Sequence, residues 1–236
     1  MNRIIVPGQS DRRLVYFLAV EEYLARTGTE GFFLWSSAPT VIFGRNQDMY
    51  SEVNLDYCRR NSIEVYRRKS GGGCVYSDRG NLMLSCVTGD TNVQSAFQRY
   101  LDSLVDVLRS LGLQAVSSRH NDVLVGERKV SGNACFLCGG CSIIHGTLIV
   151  DMDFEKLQNA ITPPVSKLES HGVKSVRQRV ASLRELGLTA PESVIREAIC
   201  SRFCDSSLEL GPEAESAICE IEKEYLSENF IRNGVL

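Results

Sequence analysis

The chain has 236 residues, of which 43% are hydrophobic and 23% charged, so it can bury one sizeable core with at most a small appendage. Its formal net charge of -3 argues against a general nucleic-acid-binding protein, which needs a basic face to neutralise phosphates. No apolar run is long enough for a signal peptide or a membrane span. We therefore expect a cytoplasmic protein without membrane partners, whose nine cysteines are mostly reduced thiols.

The N-terminal part of the chain predicts a helix followed by several short strands. Apolar residues recur at helical spacing in DRRLVYFLAVEEYLART, with Asp11 as candidate cap and Gly28 at the end. The runs GFFLWSS and TVIFG, separated by Ala38-Pro39, predict a hairpin-like pair of strands. NLDYCRRN predicts a short helix, and IEVYRR, GGCVYSD and NLMLSCVTG predict strands that extend a sheet.

The middle of the chain predicts one long helix and three more strands. NVQSAFQRYLDSLVDVLRSLGL has an apolar face, and Gly112 suits its C-terminal end. NDVLVG, RKVSGNACF and CSIIHGTLIVD predict the strands, with Gly126-Glu127 as the first turn. Four further segments predict helices on the two sides of the irregular link at Pro163-Pro164. DFEKLQNAI precedes the link, and SVRQRVASLREL, PESVIREAICSRFC and PEAESAICEIEKEYLSENF follow it.

Together these elements predict an α/β (α+β) fold with a central mixed, largely antiparallel sheet flanked by helices. We assign residues 1–187 to the main domain that contains the sheet. Residues 188–236 are expected to form a helical C-terminal segment packed on it.

A basic and glycine-rich stretch, RRKSGGGCVYSDRGN at 67–81, predicts an anion-binding loop. Glycines permit a ligand to approach the backbone closely, and arginine donates paired hydrogen bonds to a phosphate or carboxylate. It is not a P-loop, because no Gly-Lys-Ser/Thr sequence and no helix follow the glycines. The candidate residues are Arg67, Arg68, Lys69, Gly71, Gly72 and Gly73.

Two further clusters contain candidate site residues. In NDVLVGERKVSGNA, Asn121 and Asp122 have oxygen ligands suited to a metal ion, a ribose or a phosphate, and Lys129 lies in a predicted strand. A strand lysine of this kind can also be a solvated surface residue. In IIHGTLIVDMD, His145 lies at the mouth of an apolar strand, where a packing role is the alternative to a catalytic one.

Six blocks of the sequence, in order, resemble lipoate-protein ligases of the lipoate/biotin protein ligase superfamily. They are LAVEEYL, FLWSSAPTVIFGRNQDMYSEVNLDY, RRKSGGGCVYSDRGNLMLS, NDVLVGERKVSGNA, HGTLIVDMD and SHGVKSVRQRV. The resemblance covers about residues 15 to 185. It implies a fold related to the catalytic domains of biotin ligases and class II tRNA synthetases, with 1–187 as the ligase-like catalytic domain.

The resemblance also implies a reaction in two steps. Lipoate and ATP, with Mg²⁺, give lipoyl-adenylate, and the lipoyl group then passes to a carrier lysine. The implied carriers are the E2 lipoyl domain of 2-oxoacid dehydrogenases and the glycine cleavage H protein. Val41, Val75 and Leu148 are expected to form an apolar groove for the acyl tail, whose burial contributes roughly 0.8 kcal/mol per methylene.

The resemblance assigns roles to individual residues of this sequence. Lys129 matches the essential lysine, which contacts the carbonyl oxygen and the phosphate, and it is the expected catalytic residue. Asp122 is the expected metal ligand. The residues expected to bind the adenylate or substrate are Arg68, Ser70, Gly71, Gly72, Gly73, Tyr76, Asn121, Asp122 and His145.

The sequence departs from the family pattern in two places. An arginine that reaches the adenylate in the family is replaced, because Cys135 and Phe136 occupy this stretch. Longer ligases also continue into an accessory C-terminal domain, whereas this sequence stops at Leu236. We therefore expect a short form of the ligase, with a separate accessory protein as a candidate partner.

Two alternatives remain open from the sequence. One is a lipoyl or octanoyl transferase that accepts a preformed adenylate or an acyl thioester and uses a cysteine nucleophile, for which no basic partner is evident. The other is a metal- or redox-binding module built on Cys135, Cys138 and Cys141. Only three ligands are local there, whereas a closed zinc site needs four, and CGGC is equally typical of a hairpin turn.

Overall fold

The computed structural model describes residues 1–9, 12–118, 121–162 and 175–235. The candidate cap Asp11, the Pro163-Pro164 link and positions 170–174 of the SHGVKSVRQRV block lie outside the described residues.

The strands and helices alternate along the chain, with strands concentrated before residue 150 and helices after it. The strands are β1 (Asn2–Ile5), β2 (Gly31–Trp35), β3 (Thr40–Phe43), β4 (Glu64–Arg67), β5 (Val75–Ser77), β6 (Asn81–Thr88), β7 (Ala115–Ser117), β8 (Asp122–Val125), β9 (Arg128–Cys138), β10 (Cys141–Ile149) and β11 (Ser206–Glu209). The helices are α1 (Leu14–Arg26), α2 (Met49–Glu52), α3 (Leu55–Arg60), α4 (Val93–Ser110), α5 (Phe154–Ala160), α6 (Val176–Arg179), α7 (Glu192–Phe203), α8 (Pro212–Leu226) and α9 (Glu228–Asn233).

A mixed sheet of eight strands forms the centre of the fold, in the order β11-β1-β2-β6-β10-β9-β8-β7. Its pairs from β2 to β7 are antiparallel, whereas β1 runs parallel to both β2 and β11. The prediction of a mixed, largely antiparallel sheet flanked by helices is therefore confirmed.

Helices cover both faces of this sheet. On one face α1 and α8 pack against a core that includes Phe17 and Trp35, whose rings stack at 4.4 Å. On the other face α4 and α7 enclose a second core, to which α4 contributes the predicted apolar positions Leu101, Leu104 and Leu108. Burial of these two apolar faces fixes the sheet between two helical layers.

A second sheet, β4-β3-β5, lies over a third core. The hairpin expected from GFFLWSS and TVIFG is wrong, because β2 pairs with β1 and β6 while β3 pairs with β4 and β5. Both strands are buried along their whole length, so neither has the alternation of apolar and polar residues that would identify its partner.

Other local expectations also differ from the structure. The helix expected over 175–186 is only Val176–Arg179, because the following backbone bonds to the sheet: Ala181 N–H donates to the Lys129 carbonyl and Leu183 N–H to the Ile149 carbonyl. Strands β1, β7 and β11 were not predicted. Strand β11 falls within the segment 188–236, beside its helices α7, α8 and α9.

None of the helices in the described part of the chain has the length and apolar character needed to cross a membrane.

Candidate functional site

A cavity of about 820 Å³ is lined by residues from both sheets and from α1. Ser70 and Gly71 belong to the adjoining glycine loop but are not part of the cavity wall. Arg67 and Lys69 do not line the cavity either, whereas eight of the predicted residues line it together: Arg68, Gly72, Gly73, Tyr76, Asn121, Asp122, Lys129 and His145.

Apolar side chains form much of the wall, and they come from two of the cores. Leu14, Leu18, Trp35, Ile42 and Met83 belong to the core under α1 and α8. Ile149, Met152, Leu157, Ile161 and Val180 belong to the core under the smaller sheet. An apolar acyl chain that entered the cavity would therefore exchange water for hydrocarbon on several sides.

Of the residues expected in the tail groove, only Val75 lines the cavity. Val41 is buried in the third core and Leu148 in the second. Side chains alternate along a strand, so on β10 it is His145, Thr147 and Ile149 that face the cavity. The prediction identified the right strands but, for β3 and β10, the wrong face.

Arg68 is fully committed to the structure of the glycine loop. Its Nη2 donates to the carbonyls of Gly71 (2.8 Å) and Gly73 (2.7 Å), and Nη1 donates to the carbonyl of Ile42 (3.3 Å). Its Nε donates to Ser70 Oγ (3.0 Å) and also approaches the Gly71 carbonyl. Burial lowers the pKa of Arg68 to about 10. The guanidinium thus shapes the loop from within.

The backbone requires glycine at Gly72 in this loop and at Gly44 beside it. Gly72 has φ of +92°, a conformation that costs other residues free energy, and an added Cβ would lie 3.0 Å from Arg68 Nη2. A Cβ at Gly44 would collide with the Gly72 carbonyl oxygen. Gly44 was not predicted, and its role becomes visible only when the two segments are brought together.

His145 is the centre of a buried hydrogen-bonded chain. Its Nδ1 lies 2.8 Å from Glu21 Oε2, and its Nε2 lies 2.7 Å from Ser70 Oγ. Glu21 also accepts a bond from Ser85 Oγ (2.5 Å), which in turn accepts one from Trp35 Nε1 (2.9 Å). Glu21 is a charged residue among the apolar positions of α1, which is a signal in the sequence, but its partner His145 is 124 positions away.

At the other side of the cavity, one carboxylate holds two cations. Asp122 Oδ1 lies 2.7 Å from Lys129 Nζ, and Oδ2 lies 2.5 Å from Arg179 Nη2. The Asp122 side chain is 8% exposed, whereas Lys129 is 22% exposed and Arg179 26%. Both cations are thus half-buried and line the cavity, where an anion can compete with Asp122 for them.

The local backbone makes room for this cluster. A Cβ at Gly132 would collide with Lys129 Nζ and Cε, so the glycine leaves the space that the ammonium occupies. Asn121, beside Asp122, has φ of +75°, which is uncommon outside glycine and marks a constrained backbone. Its carbonyl accepts a bond from the Asn133 side chain (2.9 Å).

Arg179 was not identified from the sequence. It lies two residues after Arg177, which instead contacts Glu185 and places its guanidinium 3.9 Å from the Phe154 ring centre. Each arginine stands between a valine and Gln178 in the sequence. The two differ in the direction in which α6 points their side chains. The sequence therefore shows that this segment contains two arginines, but it does not show that one of them contacts Asp122.

Cys135, Cys138 and Cys141, the three cysteines of the predicted metal or redox module, do not have the features of a nucleophile or a metal site, whereas Cys74 lines the cavity. Burial raises the pKa of Cys135 to about 11 and also raises the pKa of Cys138 and of Cys141, whereas a reactive thiol has a lowered pKa. All nine cysteines lie among the described residues, and none forms a disulfide. Cys138 pairs with Cys141 across a two-residue turn whose glycines both have positive φ. CGGC is thus a hairpin turn.

Within the described residues, no group of three or more His, Cys, Asp or Glu side chains can hold a metal ion. Asp122 is a single carboxylate that already contacts two cations. These residues therefore fit Mg²⁺ only as a companion of a phosphate ligand, because Mg²⁺ commonly keeps water and phosphate oxygens and takes one or two carboxylates.

Comparisons with known proteins agree with this geometry. The family model of the lipoyl protein ligase A/B catalytic domain matches residues 15–204. Lipoate-protein ligase 1 of Staphylococcus aureus is 41% identical over 172 residues, which are 71% of this chain and 52% of that protein. The chain spans about half the length of the curated relatives it matches.

Several solved structures share the whole fold. A bi-partite lipoate protein ligase of Thermoplasma acidophilum, described with its E2 lipoyl domain, is 28% identical with a TM-score of 0.85, covering 100% of this chain and 97% of that one. A second T. acidophilum structure, with bound lipoic acid, is 25% identical with a TM-score of 0.85 and full coverage of both chains. A lipoate-protein ligase A bound with ATP is 25% identical with a TM-score of 0.81, covering 97% of each chain.

The family match extends over most of the chain, from α1 through α7, and includes every predicted site residue. This chain therefore belongs to the family of lipoyl protein ligase A/B catalytic domains.

Proposed function

We propose that this chain activates lipoate with ATP to form lipoyl-adenylate and transfers the lipoyl group to a lysine of a carrier protein. The observation that carries the proposal is one cavity with both an apolar wall and two cations held by a single carboxylate. An acyl-adenylate joins an apolar tail to a phosphate anion, so it needs both features at once. The lipoic acid and the ATP bound to the two structural neighbours support this assignment.

The apolar wall binds the lipoyl tail. Each buried methylene contributes roughly 0.8 kcal/mol, so an eight-carbon acyl group gains several kcal/mol from the cavity before any bond changes. The glycine loop, whose shape is set by Arg68, adjoins this wall and presents exposed Gly71 and Gly72. Close approach of the ligand to that backbone is possible because no side chain projects from either residue.

Lys129 and Arg179 bind the phosphate. Without ligand, the single carboxylate of Asp122 pairs with both cations and balances only one of their two charges, so a phosphate that enters the cavity supplies a further anion with more acceptor oxygens. Arg179 belongs to the SHGVKSVRQRV block of the resemblance and in this way supplies a cationic contact to the phosphate, although the arginine expected near Cys135 and Phe136 is missing.

In the activation step, a lipoate carboxylate oxygen attacks the α-phosphorus of ATP, and pyrophosphate leaves. Mg²⁺, when bound, neutralises phosphate charge, and Asp122 is the protein group that would hold it. Lys129 and Arg179 lie on the cavity wall where they stabilise the negative charge on the phosphoryl oxygens.

In the transfer step, the amine of the carrier lysine attacks the acyl carbon, the C–N bond forms, and the acyl C–O bond to the phosphate breaks. Lys129 stabilises the negative charge that develops on the carbonyl oxygen and on the departing AMP. Removal of one such donor costs about 3 to 4 kcal/mol of transition-state stabilisation in enzymes of known mechanism. Lys129 is the catalytic residue of this proposal.

The carriers that we propose are the E2 lipoyl domain and the glycine cleavage H protein, each of which would present a lysine to the cavity. The T. acidophilum ligase, described with its E2 lipoyl domain, supports the first of these. The description of that ligase as bi-partite supports an accessory polypeptide as a further partner in the activation step.

The test is mass spectrometry of a purified E2 lipoyl domain after incubation with this chain, lipoate, ATP and Mg²⁺. We expect lipoylation of the carrier lysine that disappears when lipoate or the chain is omitted. Supplying lipoyl-adenylate without ATP separates transfer from activation, and addition of an accessory polypeptide tests its part in activation. No lipoylation from preformed lipoyl-adenylate would contradict the proposal.

A further inference from the structure

Two basic residues on either side of Arg68 point away from the cavity. Side chains alternate in extended backbone, so Arg67 at the end of β4 and Lys69 share one side while Arg68 takes the other. The sequence suggested one anion-binding group of three cations. The structure instead directs Arg67 and Lys69 toward the C-terminal helices α8 and α9.

Lys69 links the glycine loop to α1 and α8 at once. Its Nζ lies 2.8 Å from Glu22 Oε2 on α1 and 2.6 Å from Glu224 Oε2 on α8. It also lies 4.7 Å from the centre of the Tyr225 ring, and the Tyr225 hydroxyl donates to Glu22 Oε2 (2.9 Å). The Lys69 side chain is 13% exposed and Glu22 4%, so this ion pair is shielded from solvent and strongly specified.

Arg67 makes the corresponding link to α9. Its Nε donates to the Ile231 carbonyl (3.0 Å) and its Nη2 to the Arg232 carbonyl (2.9 Å), both in the last turn of that helix. A cation is favourable there because the carbonyls of a helix C-terminus carry partial negative charge. Nη1 donates to the carbonyls of Arg45 and Gln47, on the segment that faces the loop.

We infer that α8 and α9 hold the glycine loop in the position that binds the acyl-adenylate, with Lys69 and Arg67 as positioning residues. The inference rests on the proposed function for its binding readout. The contacts of Lys69 and Arg67 with α8 and α9 do not depend on that function. Glycine loses more conformational freedom on ordering than any other residue, so a loop with Gly71, Gly72 and Gly73 needs restraint from outside. The two flanking cations provide that restraint from a segment that does not line the cavity.

The Arg45 amide reports the loop position directly, because it donates to the Ser70 carbonyl at 2.9 Å. Its hydrogen exchange rate, measured by NMR, should rise about tenfold in Lys69→Met and in Glu224→Gln, since loss of the link permits local opening. The matched control is Glu220→Gln on the exposed side of α8, where Glu220 contacts only the neighbouring Lys223 within the described contacts. The control should leave the Arg45 exchange rate unchanged.

Binding is measured on the same variants with a non-hydrolysable sulfamoyl analogue of lipoyl-adenylate. We expect the Kd to rise about tenfold in Lys69→Met and in Glu224→Gln, with partial recovery in Lys69→Arg, which restores a cation to the same pair. The Glu224 side chain is 35% exposed, so its replacement by glutamine tests the link in a folded protein even where Lys69→Met disturbs the buried Glu22.

An Arg45 exchange rate that is the same in Glu224→Gln, Lys69→Met and the parent would overturn the inference. So would an equal change in Glu220→Gln, because the effect would then not depend on the link. If the parent chain does not bind the analogue, the proposed function fails, whereas the exchange measurement still decides whether α8 positions the loop.

Discussion

The two cationic regions of the cavity differ in what their cations bind. At the glycine loop, Arg68 is 6% exposed. It donates to the main-chain carbonyls of Ile42, Gly71 and Gly73 and to the Ser70 hydroxyl. At the opposite region, Lys129 and Arg179 share the side-chain carboxylate of Asp122. Main-chain carbonyls cannot leave without the loop unfolding, whereas a carboxylate can yield its partners to an incoming phosphate. Basic residues beside glycines can therefore look alike in sequence and have opposite roles.

The difference has an energetic consequence. Removing Arg68 takes a donor from the buried Ile42 carbonyl and from the less buried Gly71 and Gly73 carbonyls, and a buried group left unsatisfied costs about 1 to 3 kcal/mol. Removing Lys129 leaves Asp122 still paired with Arg179, so little of the folded state is lost. Arg68 is thus bonded within the fold, whereas Lys129 and Arg179 are the cations that we propose for the chemistry.

The largest effect is expected from Gly72→Val, which attacks the loop backbone itself. Valine at φ of +92° is strained, and its Cβ would lie 3.0 Å from Arg68 Nη2. Strain and overpacking together cost about 2 to 6 kcal/mol. Binding of the adenylate analogue, measured by calorimetry, should be lost. A folded variant with parental affinity would mean that the loop is only a turn.

Arg68→Met tests whether Arg68 stabilises the fold through its bonds to the glycine loop. We expect the free energy of unfolding to fall by at least about 2 kcal/mol in denaturant titration, because the Gly71 and Gly73 carbonyls lose their donors. Lys129→Met, the matched substitution at the other region, should change it by less than about 1 kcal/mol. Equal losses in the two variants would remove the distinction between them.

Arg179→Gln tests whether the cations paired with Asp122 bind the phosphate of the ligand. Loss of one charge-assisted contact to phosphate should weaken binding of the adenylate analogue about tenfold, with little change in stability. Arg177→Gln is the control, because Arg177 contacts Glu185, the Val180 carbonyl and the Phe154 ring. If Arg177→Gln weakens binding as much as Arg179→Gln, the assignment of Arg179 to the phosphate is wrong.

The smallest effect concerns pH and the link between α8 and the loop. Burial raises the pKa of Glu224, but the bonds from Lys69 and Arg26 outweigh it, so the pKa lies below its usual 4.5. A lowered carboxyl pKa stabilises the fold above about pH 4.5, and the contribution is lost as the pH falls through the folded-state pKa. The difference in Tm between the parent and Glu224→Gln should therefore shrink below pH 4.5. A difference that stays constant down to pH 3 would contradict the ionic link.

The sequence was sufficient for the fold class, and most of the residues that it predicted for the site do line the cavity. The long helix α4 was predicted because its apolar period and Gly112 agree on one element. Partners distant in sequence were not predictable: Glu21 with His145, Arg179 with Asp122, and Lys69 with Glu224. Each of these pairs is formed by the topology of the sheet and its helices, and no local pattern encodes it.

The sequence also did not predict correctly which face of a strand lines the cavity or which strands pair with each other. On β10 the prediction placed Leu148 in the tail groove, although a shift of one residue puts Thr147 or Ile149 there. Both faces of this strand are buried, so hydrophobicity does not distinguish them. For the same reason β2 and β3 were assigned to one hairpin instead of two sheets.

The most direct test of the central claim is single-turnover transfer from preformed lipoyl-adenylate to a carrier lipoyl domain, followed by mass spectrometry. Lys129→Met keeps the side-chain stem and removes the ammonium, so we predict that the rate falls by about two orders of magnitude or more while the fold is retained. Exchange of Cys74, the cysteine that lines the cavity, for serine should leave the parental rate largely intact. Near-parental transfer by Lys129→Met, with loss of transfer in Cys74→Ser, would contradict the account and favour a thiol nucleophile.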